Sequence, residues 1–212
     1  MSILQEISEA LQAGKAKVVA ELVQKALDEG QKPEDILDKG LLSAMDIIGR
    51  KFKNNEVYVP EVLIAARAMN NGAAILKPVL AESGVKPIGK VALGTVKGDL
   101  HDIGKNLVRM MLEGKGIEVL DLGVDVPAEK FYDAYANEGA EIIACSALLT
   151  TTMNEMKTIV DLFVEKGARD KVKIMVGGAP ITQSFCDSIG ADYYTADAAT
   201  AADVAKEVLL KK

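Results

Sequence analysis

His101 is the only histidine in the chain. It sits in a glycine-punctuated turn reading Gly94-Thr95-Val96-Lys97-Gly98-Asp99-Leu100-His101-Asp102-Ile103-Gly104. An imidazole ligates a metal through whichever ring nitrogen lacks a proton, and a nearby carboxylate fixes which nitrogen that is. Asp99, two residues earlier, is placed to be that carboxylate. Gly98 and Gly104 let a bulky group approach the backbone closely. One histidine cannot build a zinc or iron cage, which needs several protein ligands. It can serve as one axial ligand to a metal whose other ligands come from a macrocycle. The bland alternative is a solvent-exposed loop histidine. A phosphate loop over 94–98 is the other alternative, but the stretch lacks the Gly-Lys-Ser/Thr ending and the full Gly-x-Gly-x-x-Gly pattern.

Two more turns could carry chemistry. Ser146-Ala147-Leu148-Leu149-Thr150-Thr151-Thr152 supplies four hydroxyls. One can cap a helix, which leaves others for a ligand. Gly177-Gly178-Ala179-Pro180 is either a plain strand-to-helix turn or a place where something flat passes over the backbone.

The elements that must position these turns follow from the apolar pattern. From Lys90 onward, short apolar runs at 91–94, 118–122, 141–145, 172–176 and 193–194 alternate with helical patterns at 103–113, 128–137, 153–166, 181–188 and 199–210. Five β/α units with continuous apolar strands predict an α/β fold, a doubly wound five-stranded parallel sheet of the Rossmann or flavodoxin-like kind. Ligands bind such sheets at the carboxyl ends of the strands, where all three turns fall. Residues 1–86 read as helix only. Ile3, Ile7 and Leu11, then Val19, Leu22, Val23 and Ala26, recur at helical spacing, Pro33 opens a third helix and Pro60 a fourth. An N-terminal four-helix bundle over 1–86, a linker over 83–89 and an α/β domain over 87–212 are expected.

Composition narrows the function. The net charge of −6 argues against a nucleic-acid partner, which favours a basic face. No apolar stretch reaches membrane-spanning length, and the first residues lack the plan of a signal peptide, so a cytoplasmic location is expected. Cys145 and Cys186 are too far apart in sequence for a metal motif, and both read as small buried hydrophobes.

Taken together, Asp99-Leu100-His101-Asp102-Ile103-Gly104, Ser146-Ala147-Leu148 and Gly177-Gly178 resemble the Asp-x-His-x-x-Gly, Ser-x-Leu, Gly-Gly signature of cobalamin-binding domains. Upstream, Phe52, Tyr58-Val59-Pro60-Glu61 and Ala65-Ala66-Arg67-Ala68-Met69 are similar to the helical cap of the methionine synthase B12 module. The whole chain most resembles the stand-alone corrinoid proteins of methylamine, methanol, methoxyaromatic and betaine methyltransferase systems.

The resemblance implies a cofactor, cobalamin or a related corrinoid, carried as methylcobalamin. His101 would be the lower ligand of its cobalt, bound base-off and histidine-on. Asp99 would hydrogen-bond the imidazole, and Thr152 would stand where methionine synthase has a serine. Gly98, Asp102, Ile103, Gly104 and Leu148 would belong to the cofactor site. Ser146 and Thr150 would meet the displaced nucleotide tail, and Gly177 and Gly178 would line its channel. Phe52 and Val59 would cover the upper cobalt face, unless they are ordinary bundle core. The implied function is methyl carriage between a substrate-specific corrinoid methyltransferase and a second methyltransferase acting on tetrahydrofolate or a thiol, with a reductive activase as a further partner. Alternatives are the B12-binding subunit of an adenosylcobalamin-dependent isomerase and a B12-sensing module.

Overall fold

The computed structural model describes residues 2–83 and 86–211; Gly84 and Val85, inside the expected linker, lie outside the described residues. The chain forms two compact units. The first, residues 1–87 with 114–116, is helical. It contains α1 (Ile3–Gln12), α2 (Ala16–Asp28), the single turn α3 (Pro33–Asp35), α4 (Ser43–Lys53) and α5 (Val59–Ser83). Ser2 caps α1 by accepting the Gln5 N–H. Ile7, Leu11, Val19, Val23, Ile36, Leu41 and Ile48 are fully buried or nearly so, and they form the inner face of the bundle. The stretch read as one third helix is continuous from Pro33 to Lys53, but a π-helical segment, Ile36–Leu42, joins α3 to α4. Helix α5 packs closely at Gly72, where an added Cβ would stand 3.0 Å from both Val19 and Leu41 side chains.

The second unit, residues 88–113 and 117–212, is the α/β layer structure. Its strands are β1 (Lys90–Val96), β2 (Glu118–Val126), β3 (Ile142–Ser146), β4 (Lys173–Gly177) and β5 (Tyr193–Tyr194). They lie in the order β2-β1-β3-β4-β5 and every pair is parallel. Helices α6 (Ile103–Glu113) and α10 (Ala198–Leu210) pack on each other, as do α7 (Ala128–Glu138) and α8 (Glu155–Glu165); α9 (Gln183–Ile189) precedes β5. Strands β1, β3 and β4 are apolar without alternation because helices cover both faces. Phe131 and Phe163 are fully buried, and Tyr132 and Tyr135 stack obliquely on Phe163 at 5.3 and 5.6 Å. Cys145 and Cys186 are free and buried, and burial pushes both thiols up. No helix among the described residues is long and apolar enough to cross a membrane.

The order reverses at β1: the chain steps outward to β2, then returns to place β3 on the other side. In doubly wound sheets this reversal opens a crevice at the carboxyl ends of the two diverging strands. The β1 turn carries His101 and the β3 turn carries Leu148, Leu149 and Thr152.

Candidate corrinoid site

Asp99 is the centre of the site. Its carboxylate is fully buried and accepts five hydrogen bonds. Oδ1 takes the His101 backbone N–H at 3.1 Å and the His101 ring Nδ1 at 2.7 Å. Oδ2 takes the backbone N–H groups of Leu148 and Leu149 at 2.8 and 3.2 Å, and the Thr152 hydroxyl at 2.8 Å. Burial is the largest single influence on this carboxyl and pushes it up. The bonds from the His101 ring, the Leu148 and His101 backbones and Thr152 together outweigh it and hold the group well below the usual carboxylate range.

An ionised carboxylate only accepts hydrogen bonds, so the proton between Asp99 and His101 resides on Nδ1. In the neutral ring the lone pair is then on Nε2. The imidazole is 51% exposed while its carboxylate partner has no exposure. The ring is thus anchored at one nitrogen and presented at the other. Thr95, fully buried within β1, donates its hydroxyl to the His101 carbonyl at 2.8 Å and ties down the far end of the turn.

The donor set fits a metal that brings its own equatorial ligands. Among the described residues no three His, Cys, Asp or Glu side chains come together to hold an ion. The surroundings fit a broad, mostly apolar partner. Of the twelve large hydrophobic side chains exposed in the described residues, Leu100, Leu148 and Leu149 fall in the turns after β1 and β3, Ile103 opens α6, and Val124 lies near the end of β2. Scattered exposed hydrophobics are ordinary, but a concentration at one sheet edge marks a binding surface.

The other expected residues are distributed unevenly. Gly98 adopts a left-handed conformation beside the Thr152 methyl. Asp102 starts the turn into α6, with Ile103 as the first helical residue and Gly104 next, all three exposed. Ser146 closes β3, half-buried, and Thr150 is exposed in the following turn. Leu148 acts through its backbone N–H. Gly177 pairs with Ser146, and its carbonyl accepts the Ala147 N–H at 3.2 Å. At Gly178, φ is +131° and a Cβ would collide with the Ala147 carbonyl oxygen at 1.9 Å, so only glycine fits. Phe52 and Val59 belong to the helical unit, in α4 and at the start of α5, and both are half-buried there.

Comparison with known proteins agrees with this chemistry. Residues 89–205 match the B12 binding domain family, and residues 3–77 match a second family also described as a B12 binding domain. The chain is 42% identical over 214 residues to a corrinoid protein of Desulfitobacterium hafniense, covering 100% of this chain and 99% of that one. It is 44% identical over 209 residues to the dimethylamine corrinoid protein of Methanosarcina barkeri, covering 98% and 97%. This chain belongs to the corrinoid proteins of methyltransferase systems. The fold of this corrinoid protein is similar to a chain of the methanol:cobalamin methyltransferase complex MtaBC from M. barkeri. The TM-score is 0.88 at 32% identity, covering 99% of this chain and 80% of that one. It is also similar to a cobalamin-binding protein of D. hafniense, with a TM-score of 0.80 at 29% identity, covering 96% and 97%. Its cofactor is cobalamin or a related corrinoid.

Sequence reading passed over three residues of the site region. Thr95 is hidden inside an apolar strand. Lys105 is only 3% exposed on α6, where it donates to Asp121 Oδ1 at 2.5 Å and Asn106 at 2.9 Å. Asp125 has a left-handed backbone at the end of β2. Its signal was the Gly123-Val124-Asp125-Val126-Pro127 stretch, a further turn at the same sheet edge.

Proposed function

We propose that this corrinoid protein is a methyl carrier that holds its cofactor base-off, with His101 as the lower axial ligand. The observation that carries the reading is the 2.7 Å bond between a buried carboxylate and Nδ1, which makes Nε2 the nitrogen free to ligate on a half-exposed ring. The bound corrinoid would supply a cobalt able to accept and release a methyl group. The protein would supply binding, orientation and proton control. Asp99 holds the Nδ1 proton and the ring direction. Thr152 has two acceptors in reach, Asp99 Oδ2 at 2.8 Å and the Leu149 carbonyl at 3.0 Å. Its hydroxyl therefore follows the charge on the carboxylate. Ser146, Thr150, Gly177 and Gly178 lie at the β3 and β4 ends, where a nucleotide tail displaced by His101 would enter.

The partners of this reading are a substrate-specific corrinoid methyltransferase and a second methyltransferase acting on tetrahydrofolate or a thiol. Support for the first comes from relatives named as dimethylamine corrinoid proteins and from the MtaBC complex. The test is electron paramagnetic resonance of the cob(II) state. Nitrogen splitting is expected in the natural chain and is expected to vanish in His101→Ala. Splitting that survives the substitution refutes the ligand assignment, and preferential uptake of adenosylcobalamin over methylcobalamin refutes methyl carriage.

A further inference from the structure

Two strands grip the turn that carries His101, and they do so by different means. On the β3 side, Leu148, Leu149 and Thr152 bind the Asp99 side chain. On the β2 side, one residue binds the backbone. The Asp125 N–H donates to the Asp99 carbonyl at 2.9 Å, and the Asp125 Oδ1 accepts the Gly98 N–H at 2.7 Å.

Three features set Asp125 apart. Its φ is +53°, a left-handed backbone that a residue with a Cβ adopts at a cost, and that Asp and Asn tolerate better than most. Asn55 is the other non-glycine residue with positive φ among the described residues. The pairing of β1 with β2 is also irregular just before it. Gly94 pairs with Gly123 and Val96 with Val126, so β2 advances three residues while β1 advances two. The extra residue is a bulge, which re-aims the strand end. Finally, β2 is an edge strand, paired on one side alone, with β1. A strained residue, a bulge and two hydrogen bonds converge on residues 98 and 99.

We infer that Asp125 is a positioning residue for His101. It clamps the 98–101 turn to the end of β2, so the imidazole is offered to the corrinoid from one place. The inference rests on the reading of His101 as axial ligand. The two grips divide the work: the β3 loop stabilises the charge of Asp99, and Asp125 fixes where the turn lies.

Asp125→Gly removes the carboxylate acceptor while leaving the left-handed backbone free of strain. Asp125→Asn keeps an oxygen acceptor and a tolerable backbone. Amide hydrogen exchange is measured on the full-length chain with and without cobalamin, and cob(II) spectra are taken on the loaded chain. In Asp125→Gly, exchange at the Gly98 amide is expected to rise about tenfold, and the nitrogen splitting is expected to broaden into a mixture of geometries. Asp125→Asn is expected to restore both. Unchanged Gly98 exchange and unchanged splitting in Asp125→Gly overturn the clamp while leaving the ligand assignment standing. Absence of nitrogen splitting in the natural chain removes the ligand and, with it, the clamp's purpose.

Discussion

Asp99→Asn probes the site most sharply, because the substitution keeps shape and changes only what the side chain can accept. The carboxamide must turn its NH2 toward one side. The Leu148 and Leu149 N–H groups on the β3 side are fixed by backbone geometry, and the Thr152 hydroxyl joins them there. On the other side stand the His101 N–H and a ring nitrogen that can change its role. The carboxamide oxygen therefore faces Leu148, and the NH2 faces His101. Nδ1 then becomes the acceptor and the ring proton moves to Nε2. In the natural chain a charge-assisted bond favours the Nδ1 proton by about 2 kcal/mol, roughly thirtyfold. In the variant that preference reverses, and the atom proposed to ligate cobalt carries a proton. The fold survives at a cost of about 1–2 kcal/mol, since the His101 N–H loses its acceptor at a part-exposed position.

One histidine per chain makes the assay unambiguous. Nitrogen-15 spectra of histidine-labelled protein show one Nδ1 and one Nε2 resonance. The natural chain is expected to show a protonated Nδ1 and an unprotonated Nε2, and Asp99→Asn the reverse. An unprotonated Nε2 in the variant refutes the reasoning. The stability difference also has a defined pH dependence. The folded Asp99 carboxyl lies below its unfolded value of about 3.9, so in acid the unfolded chain binds the extra proton. The contribution of Asp99 is complete well above pH 4 and is lost as pH falls toward the folded value. The gap between natural chain and variant in denaturant titrations should therefore narrow through that acid range.

Five other substitutions test neighbouring parts. Thr152→Val removes a buried donor and should cost about 1–2 kcal/mol in chemical denaturation, whereas Thr152→Ser should recover most of it. Gly178→Ala drives a Cβ into the Ala147 carbonyl at 1.9 Å and should lower the melting temperature by about 10 °C, whereas Gly177→Ala, with its nearest neighbour 3.3 Å away, should change it little. Lys105→Met leaves Asp121 with Arg109 at 2.9 Å as its remaining cation and should destabilise the fold by about 3 kcal/mol. Burial pushes the Asp121 carboxyl up and the Lys105 bond is the largest influence pulling it down, so carbon-13 titration of Asp121 should move upward in that variant.

Legibility of the sequence followed burial. Strands β1, β3 and β4 announce themselves because both faces are covered and their residues are apolar throughout. Strand β2 runs four residues beyond its expected end at Leu122, because an edge strand needs no apolar run and Gly123 and Asp125 resemble turn residues. The π segment shows only in the five-residue gap between the buried Ile36 and Leu41, before Met45 and Ile48 follow at ordinary helical spacing. Asp99 and His101 were legible because their types and spacing carry a chemical meaning. Asp125 was not, because its role rests on a backbone angle and on contacts across the sheet edge. Lys105 was missed because a lysine on a helix ordinarily reads as solvated.

The same contrast explains why the site needs so much protein around one nitrogen. On the proposed reading, a metal held mainly by a macrocycle would meet the chain through a single bond, so no second protein ligand would correct a misplaced first one. Direction must then come from the ring's other nitrogen, and the 2.7 Å bond to Asp99 supplies it. A carboxylate in solvent would hold that bond weakly, because water competes for its lone pairs. Burying it strengthens the bond but raises the cost of its charge. The Leu148 and Leu149 amides and the Thr152 hydroxyl offset that cost, and all three come from the β3 turn. The donors that keep Asp99 charged therefore have to reach it across the strand reversal, and this places the histidine turn at the junction of β1 and β3 rather than at any other strand end.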